Sequence, residues 1–310
     1  MNESSPTVGE AWLAYSEEYL VEYPADHVFR PEVPRLALHL LLEKRVVSAE
    51  EVFDPPAASW EQVSLAHHPS YLERLRQFAA HNWAETPDTP VSQPILQGVL
   101  KATGGTIAAC EAALRRGFAA NLAGGYHHAF PDHGEGFCLI NDVAVAIRVL
   151  RQRGAIRRAA VVDLDLHQGN GTAAIFARDG DVFTLSLHEF DNYPPVKPAS
   201  TLDVHLPSGA DDDYYLERLR DALPKALAIE PNLVIYLAGV DPYYRDQLGG
   251  LALSEEGLRA RDRLVISEVL ARALPLCVLM AGGYAPSPEE TARLHANTIE
   301  ILARSSAHAP

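Results

Sequence analysis

The chain has 310 residues, 47% hydrophobic and 22% charged, proportions of a globular protein and a length that one large α/β domain or two smaller ones would fit. Its formal net charge of −15 argues against a phosphate-tracking nucleic-acid surface and suits a basic or neutral substrate. Three cysteines, Cys110, Cys138 and Cys277, lie far apart among apolar neighbours, which implies reduced thiols in a cytoplasmic setting and excludes a disulfide framework.

The first six residues are acidic and polar and do not read as a signal peptide. Apolar runs such as 233–240 are too short to span a bilayer, so a soluble protein without membrane contact is expected. An extended segment over 11–15 precedes a helix over 34–43, and Asp54-Pro55-Pro56 marks a loop. Residues 59–80 mix a strand with a helix starting near Ser70, where Leu72, Leu75 and Phe78 fall at helical spacing. The three prolines of 82–94 predict a surface loop, and the Ala-rich pattern of 97–116 a helix that Gly117 ends. His67 and His68 have no chemical context and read as surface residues.

From there strands and helices alternate. Strands are predicted over 118–122, 159–165, 182–187, 233–238 and 276–280. Helices are predicted over 141–153, 172–178, 214–228, 254–273 and 288–302. Such alternation implies right-handed βαβ units and one doubly wound, largely parallel sheet with helices on both faces. No linker, repeat or low-complexity segment divides residues 1–310.

In such sheets ligands collect beyond the carboxyl ends of the strands. Polar groups recur at those ends. Asp163, Asp165 and His167 alternate with Leu164 and Leu166, so a strand would place the three polar groups on one face. Two carboxylates and an imidazole form part of a site for a borderline divalent metal such as zinc; the plain alternative is a solvated strand end. Asp241 could be a third ligand, or merely cap the turn at Pro242. His127 and His128 follow a Gly124-Gly125 turn, and a neutral imidazole suits proton transfer in a hydrolase. Tyr284 follows Gly282-Gly283, where a phenol could reach a cleft and donate to an oxyanion, or else sit at the core edge.

These segments, taken in order, resemble the histone deacetylase family: Gly124-Gly125-Tyr126-His127-His128-Ala129, Gly136-Phe137-Cys138, Asp163-Leu164-Asp165-Leu166-His167, Gly169-Asn170-Gly171-Thr172, Ser186-Leu187-His188, Ala238-Gly239-Val240-Asp241-Pro242 and Gly282-Gly283-Tyr284. The match spans about residues 20–300. Each motif alone is weak; together they are specific. The resemblance implies the arginase–deacetylase fold, a single catalytic domain around a mostly parallel sheet of about eight strands. It implies Zn²⁺ or Fe²⁺ on Asp165, His167 and Asp241, with His128 as general base then acid and His127 as its electrostatic partner. Asp163 would fix the tautomer of His127, Tyr284 would stabilise the oxyanion, and a structural K⁺ would bind near Asp163, Asp165, His167 and Ser186.

For the substrate, the resemblance implies an acyl-lysine protein or peptide threaded past Phe137, with the Gly136 carbonyl receiving its amide. Asn170 stands where some members carry the aspartate that partners His128, so the base should have a lower pKa here. The amide and the short loop after Asn192 look most like the class IV and related bacterial branch. Leu248 replaces a gatekeeper glutamate of acetylpolyamine-selective members, which favours acyl-lysine; a small-amide amidohydrolase is the alternative. The second tunnel wall falls to Tyr193 or Pro194, and the loops over 82–94 and 189–210 are candidates for the rim or for a contact in a homo-oligomer.

Overall fold

The computed structural model describes residues 11–24, 27–86 and 88–306. The polar stretch at the amino terminus, read as no signal peptide, lies outside them in residues 1–10. In chain order the elements are β1 (Leu13–Ala14), α1 (Val33–Glu43), β2 (Val52–Phe53), α2 (Trp60–Val63), α3 (Pro69–His81), β3 (Ala84–Thr86), β4 (Thr89–Pro90) and α4 (Gln93–Arg116). Then come β5 (Phe118–Asn121), α5 (Asp142–Gln152), β6 (Ala159–Asp163), α6 (Asn170–Phe176), β7 (Val182–Glu189) and β8 (Leu202–Leu206). The chain closes with α7 (Asp212–Leu227), β9 (Leu233–Leu237), α8 (Glu255–Leu270), β10 (Leu276–Leu279) and α9 (Pro288–Ser306).

Local chemistry sets the helix ends. Ser92 caps α4 by accepting from Ile95 N, and the chain leaves it through Gly117 at φ 94°, a left-handed position that glycine tolerates. Asn141 caps α5 by accepting from Ala144 N at 2.9 Å. Residues 59–80 contain no strand, a correction to the reading of that stretch: Ser59 caps a helical turn there instead. The expected surface loop over 82–94 contains the β3–β4 hairpin and buries Thr89 and Val91.

Eight strands form one sheet in the order β2-β1-β5-β10-β9-β6-β7-β8, with every neighbouring pair parallel. Strands β5, β6, β9 and β10 are buried along their whole length, which explains why they are apolar apart from the terminal Asn121 and Asp163. The helices connecting β2 to β5, β5 to β6 and β6 to β7 advance one way along the sheet. Those connecting β8 to β9 and β9 to β10 run back. Right-handed crossovers therefore put α4, α5 and α6 on one face and α7 and α8 on the other.

The reversal falls between β6 and β9, whose following helices leave to opposite faces, so a crevice opens beyond their carboxyl ends. Register puts Asn121, Leu279, Leu237, Asp163 and Ser186 side by side across the sheet. The loops after β5, β10, β9 and β6 thus start from one level, while β7 runs on to Glu189. A single hydrophobic core runs through the sheet and both helical layers. Among the described residues no helix is long and apolar enough to cross a membrane.

Candidate active site

Strand β6 stops at Asp163, two residues short of the predicted end, so period-two geometry is not what gathers the polar groups. Short side-chain bonds do it. Asp163 Oδ1 accepts from Asp165 N at 3.2 Å, and Asp165 Oδ1 accepts from His167 N at 2.9 Å. Leu164 and Leu166 are fully buried and anchor the turn. From the loop after β9, Asp241 Oδ1 accepts from Leu166 N at 2.9 Å.

Ligand atoms of Asp165, His167 and Asp241 lie within 4.8 Å of one another, and all three residues are buried. His167 Nδ1 is 3.2 Å from Asp165 Oδ1 and 3.2 Å from Asp241 Oδ2. Burial opposes charge on His167, yet the two flanking carboxylates push its pKa up to about 10. Burial, then Asp165, pushes the Asp241 carboxyl up to about 8. A buried cluster that draws protons this strongly calls for positive charge, and two carboxylates with one imidazole fit a divalent cation.

Gly282, after β10, closes the cluster from the other side. Its N–H donates to Asp165 Oδ2 at 2.8 Å, and a Cβ there would lie 2.5 Å from Asp241 Oδ2 and 2.6 Å from Asp165 Oδ2. Gly282→Ala is expected to splay the two carboxylates and weaken divalent-ion affinity by about tenfold or more, as disturbing the support of metal ligands does. Zinc titration against a chromophoric chelator reads this directly; unchanged affinity would mean that the carboxylates do not need the close backbone.

The loop after β5 contributes the histidines. Asp142, fully buried, accepts from Gly125 N at 3.0 Å and Tyr126 N at 2.8 Å and so fixes the Gly124-Gly125 turn. His127 Nδ1 donates to Asp163 Oδ2 at 2.7 Å, and His127 Nε2 is 3.1 Å from His128 Nε2. His128 Nδ1 lies 2.7 Å from Asn170 Oδ1. The two imidazoles are driven apart. Burial works against charge on His127, but Asp163 and Asp165 outweigh it and raise the pKa to about 9. Burial, then the neighbouring His127 and His167, holds His128 well below its ordinary value.

A cavity of about 240 Å³ opens onto this cluster. Phe137 and Tyr193 line it, as do Leu248, Tyr284, Gly136 and both histidines. Phe137 sits at φ 67° after Gly136 at φ 53°, a tight turn closed by Cys138 N donating to Glu135 O at 2.9 Å. Its ring meets Tyr284 edge-on at 5.9 Å. Of the two candidates for the second wall, Tyr193 lines this cavity and meets the His128 ring at 4.9 Å, while Pro194 is not among the lining residues.

Glu189 accepts from Asn192 Nδ2 at 2.7 Å, and Lys197 donates to the Asn192 and Pro194 carbonyls, pinning the loop that carries Tyr193. Burial, then Asp165 and Asp241, holds the Tyr284 phenol well above its usual range, so it stays a proton donor.

Two neighbours were not singled out from the sequence. Asp246 accepts from Tyr284 N at 2.6 Å and Leu248 N at 2.9 Å, tying the phenol to the rim. Glu135 accepts from Asn170 Nδ2; its only sequence signal was its place directly before Gly136-Phe137. His67 corrects the surface reading of its pair: it is 2% exposed, its Nδ1 pairs with the Phe130 carbonyl, and its Nε2 accepts from Asn141 N.

The family model of the histone deacetylase domain matches residues 27–302. The chain belongs to the histone deacetylase family. A histone deacetylase-like amidohydrolase of Pseudomonas aeruginosa is 30% identical over 278 residues, covering 84% of this chain and 73% of that protein. An uncharacterised protein of Picosynechococcus sp. is 42% identical over 285 residues, covering 91% and 95%. The crystal structure of the HDA15 HD domain superposes with a TM-score of 0.82 at 22% identity, covering 96% of this chain and 91% of that one. The eight-stranded sheet described above is therefore the histone deacetylase fold. Within this family of metal-dependent amidohydrolases, Asp165, His167 and Asp241 are the candidate group for the ion.

Proposed function

We propose that this protein is a zinc-type lysine deacylase, hydrolysing the amide between an acyl group and the ε-nitrogen of lysine in a protein or peptide. The observation that supports it best is the meeting of Asp165, His167 and Asp241 at the floor of a cavity that His128 and Tyr284 also line. Asp165, His167 and Asp241 would hold Zn²⁺ or Fe²⁺, which supplies Lewis acidity toward a carbonyl and toward water.

His128 would remove a proton from the attacking water through Nε2 and return it to the departing amine. His127, charged and held by Asp163, stabilises the negative charge that develops beside it. The Tyr284 hydroxyl donates to the carbonyl oxygen as it becomes an oxyanion. Phe137 and Tyr193 sandwich the lysine stem, and the Gly136 carbonyl accepts the substrate N–H. Leu248 has no charge to pair with a second ammonium, which favours acyl-lysine over polyamines. A monovalent cation near Asp163, Asp165, His167 and Ser186 belongs to the same reading, as does a cytoplasmic location.

The test is a screen of lysine peptides carrying acetyl to myristoyl groups beside acetylputrescine, with and without a chelator. Peptide deacylation that is lost on chelation and restored by zinc is the expected result. Cleavage of acetylputrescine alone would replace the reading with a small-amide amidohydrolase, and no amide cleavage at all would end it.

A further inference from the structure

Asn170 is the partner of His128, and an asparagine side chain has two faces of opposite hydrogen-bonding sense. Here the orientation is overdetermined. The Gly171 N–H can only donate, and it reaches Asn170 Oδ1 at 3.0 Å. The Glu135 carboxylate accepts from Asn170 Nδ2. With Oδ1 fixed toward the ring, 2.7 Å from His128 Nδ1, that nitrogen must carry the proton. His128 Nε2 is then the basic nitrogen, 3.1 Å from His127 Nε2 on a residue that lines the cavity.

We propose that Glu135 is the positioning residue for the general base, supplying one bond further out the carboxylate that Asn170 lacks. Glu135 reaches this place because the turn through Gly136 and Phe137 folds back over His128: a Cβ on Gly136 would lie 2.5 Å from His128 Cδ2. Asn170 is 1% exposed, so water does not compete for its amide, whereas the Glu135 side chain is 25% exposed and reaches solvent. The same carboxylate adds to the burial that holds up the Tyr193 phenol, so it borders the cavity wall as well. Without Glu135 only the Gly171 N–H still sets the sense of the amide, and each time the amide turns it donates to Nδ1 and moves the proton to Nε2, which removes the base.

This inference rests on the role of His128 proposed above, and its test includes one readout that does not depend on turnover. Glu135→Ala is expected to lower kcat about tenfold with KM within about twofold, the scale of losing an outer partner of a catalytic imidazole. Long-range ¹H–¹⁵N spectra of the wild type should show His128 protonated at Nδ1, and those of Glu135→Ala a mixture of tautomers. Asn170→Asp alone sets two carboxylates against each other and should also lose kcat. Glu135→Gln/Asn170→Asp lets an amide donate to the new carboxylate and should recover most of the wild-type kcat.

A double variant no better than the product of its single variants, or a Glu135→Ala protein with wild-type kcat and tautomer, overturns the proposal. A wild-type protein that cleaves no amide but shows the tautomer shift would instead count against the deacylase reading and leave the positioning intact.

Discussion

Asp241→Asn is expected to lower turnover by at least about three orders of magnitude and to abolish tight divalent-ion binding, because one of the two ligand charges is lost. The substitution is nearly isosteric, and its remaining oxygen can still accept from Leu166 N, which Asp241 Oδ1 does at 2.9 Å. The fold should therefore survive. What changes is the charge in a fully buried position whose carboxyl is already pushed up to about 8 by burial and by Asp165. In the metal-free protein the asparagine relieves that repulsion but gives up the contact of Oδ2 with His167 Nδ1 at 3.2 Å, so its Tm should stay near that of the metal-free wild type.

Adding zinc should raise the wild-type Tm and leave that of the variant unmoved, since a ligand at 100 times its Kd adds about 2.7 kcal/mol of stability. Calorimetry with and without zinc, together with metal analysis, checks both halves. If Asp241→Asn took up zinc with wild-type affinity, Asp241 would not be a ligand.

Tyr284→Phe separates oxyanion stabilisation from ion binding. Its expected effect is a fall in kcat of about 10²–10³, some 2.7–4 kcal/mol, with KM, metal content and Tm nearly unchanged. The phenyl ring keeps its edge contact with Phe137 at 5.9 Å, and the backbone N–H keeps Asp246 Oδ2 at 2.6 Å, so the cavity wall should stand. Only the hydroxyl is lost. Its proton is held by burial and by the charges of Asp165 and Asp241, so no assay pH in the ordinary range should mimic the substitution by ionising it. Turnover at the wild-type rate would remove Tyr284 from the chemistry.

Much of the fold was legible because parallel strands buried on both faces advertise themselves. Val161 and Val162 of β6 and the whole of β9 are apolar and fully buried. The short outer strands were not legible. Val52–Phe53 has too few residues for a period, and Leu202–Leu206, which alternates Leu-Asp-Val-His-Leu, is a half-exposed edge strand inside a stretch read as loop. His67 looked like surface because its partners, the Phe130 carbonyl and Asn141 N, lie 63 and 74 residues away.

The candidate site divides in the same way. Sequence alone determined which groups sit at the strand ends, and so named Asp163, Asp165, His167, Asp241, His127, His128 and Tyr284, because chain order fixes the residues that leave each strand. Tertiary structure alone decided what those groups do to one another: that Tyr193 and not Pro194 walls the cavity, that Asp246 ties Tyr284 to the rim, and that Glu135 holds the Asn170 amide. The reason is physical. Hydrogen-bond direction and the proton affinity of a buried group depend on neighbours brought together across the sheet, and no local pattern of residues encodes those distances.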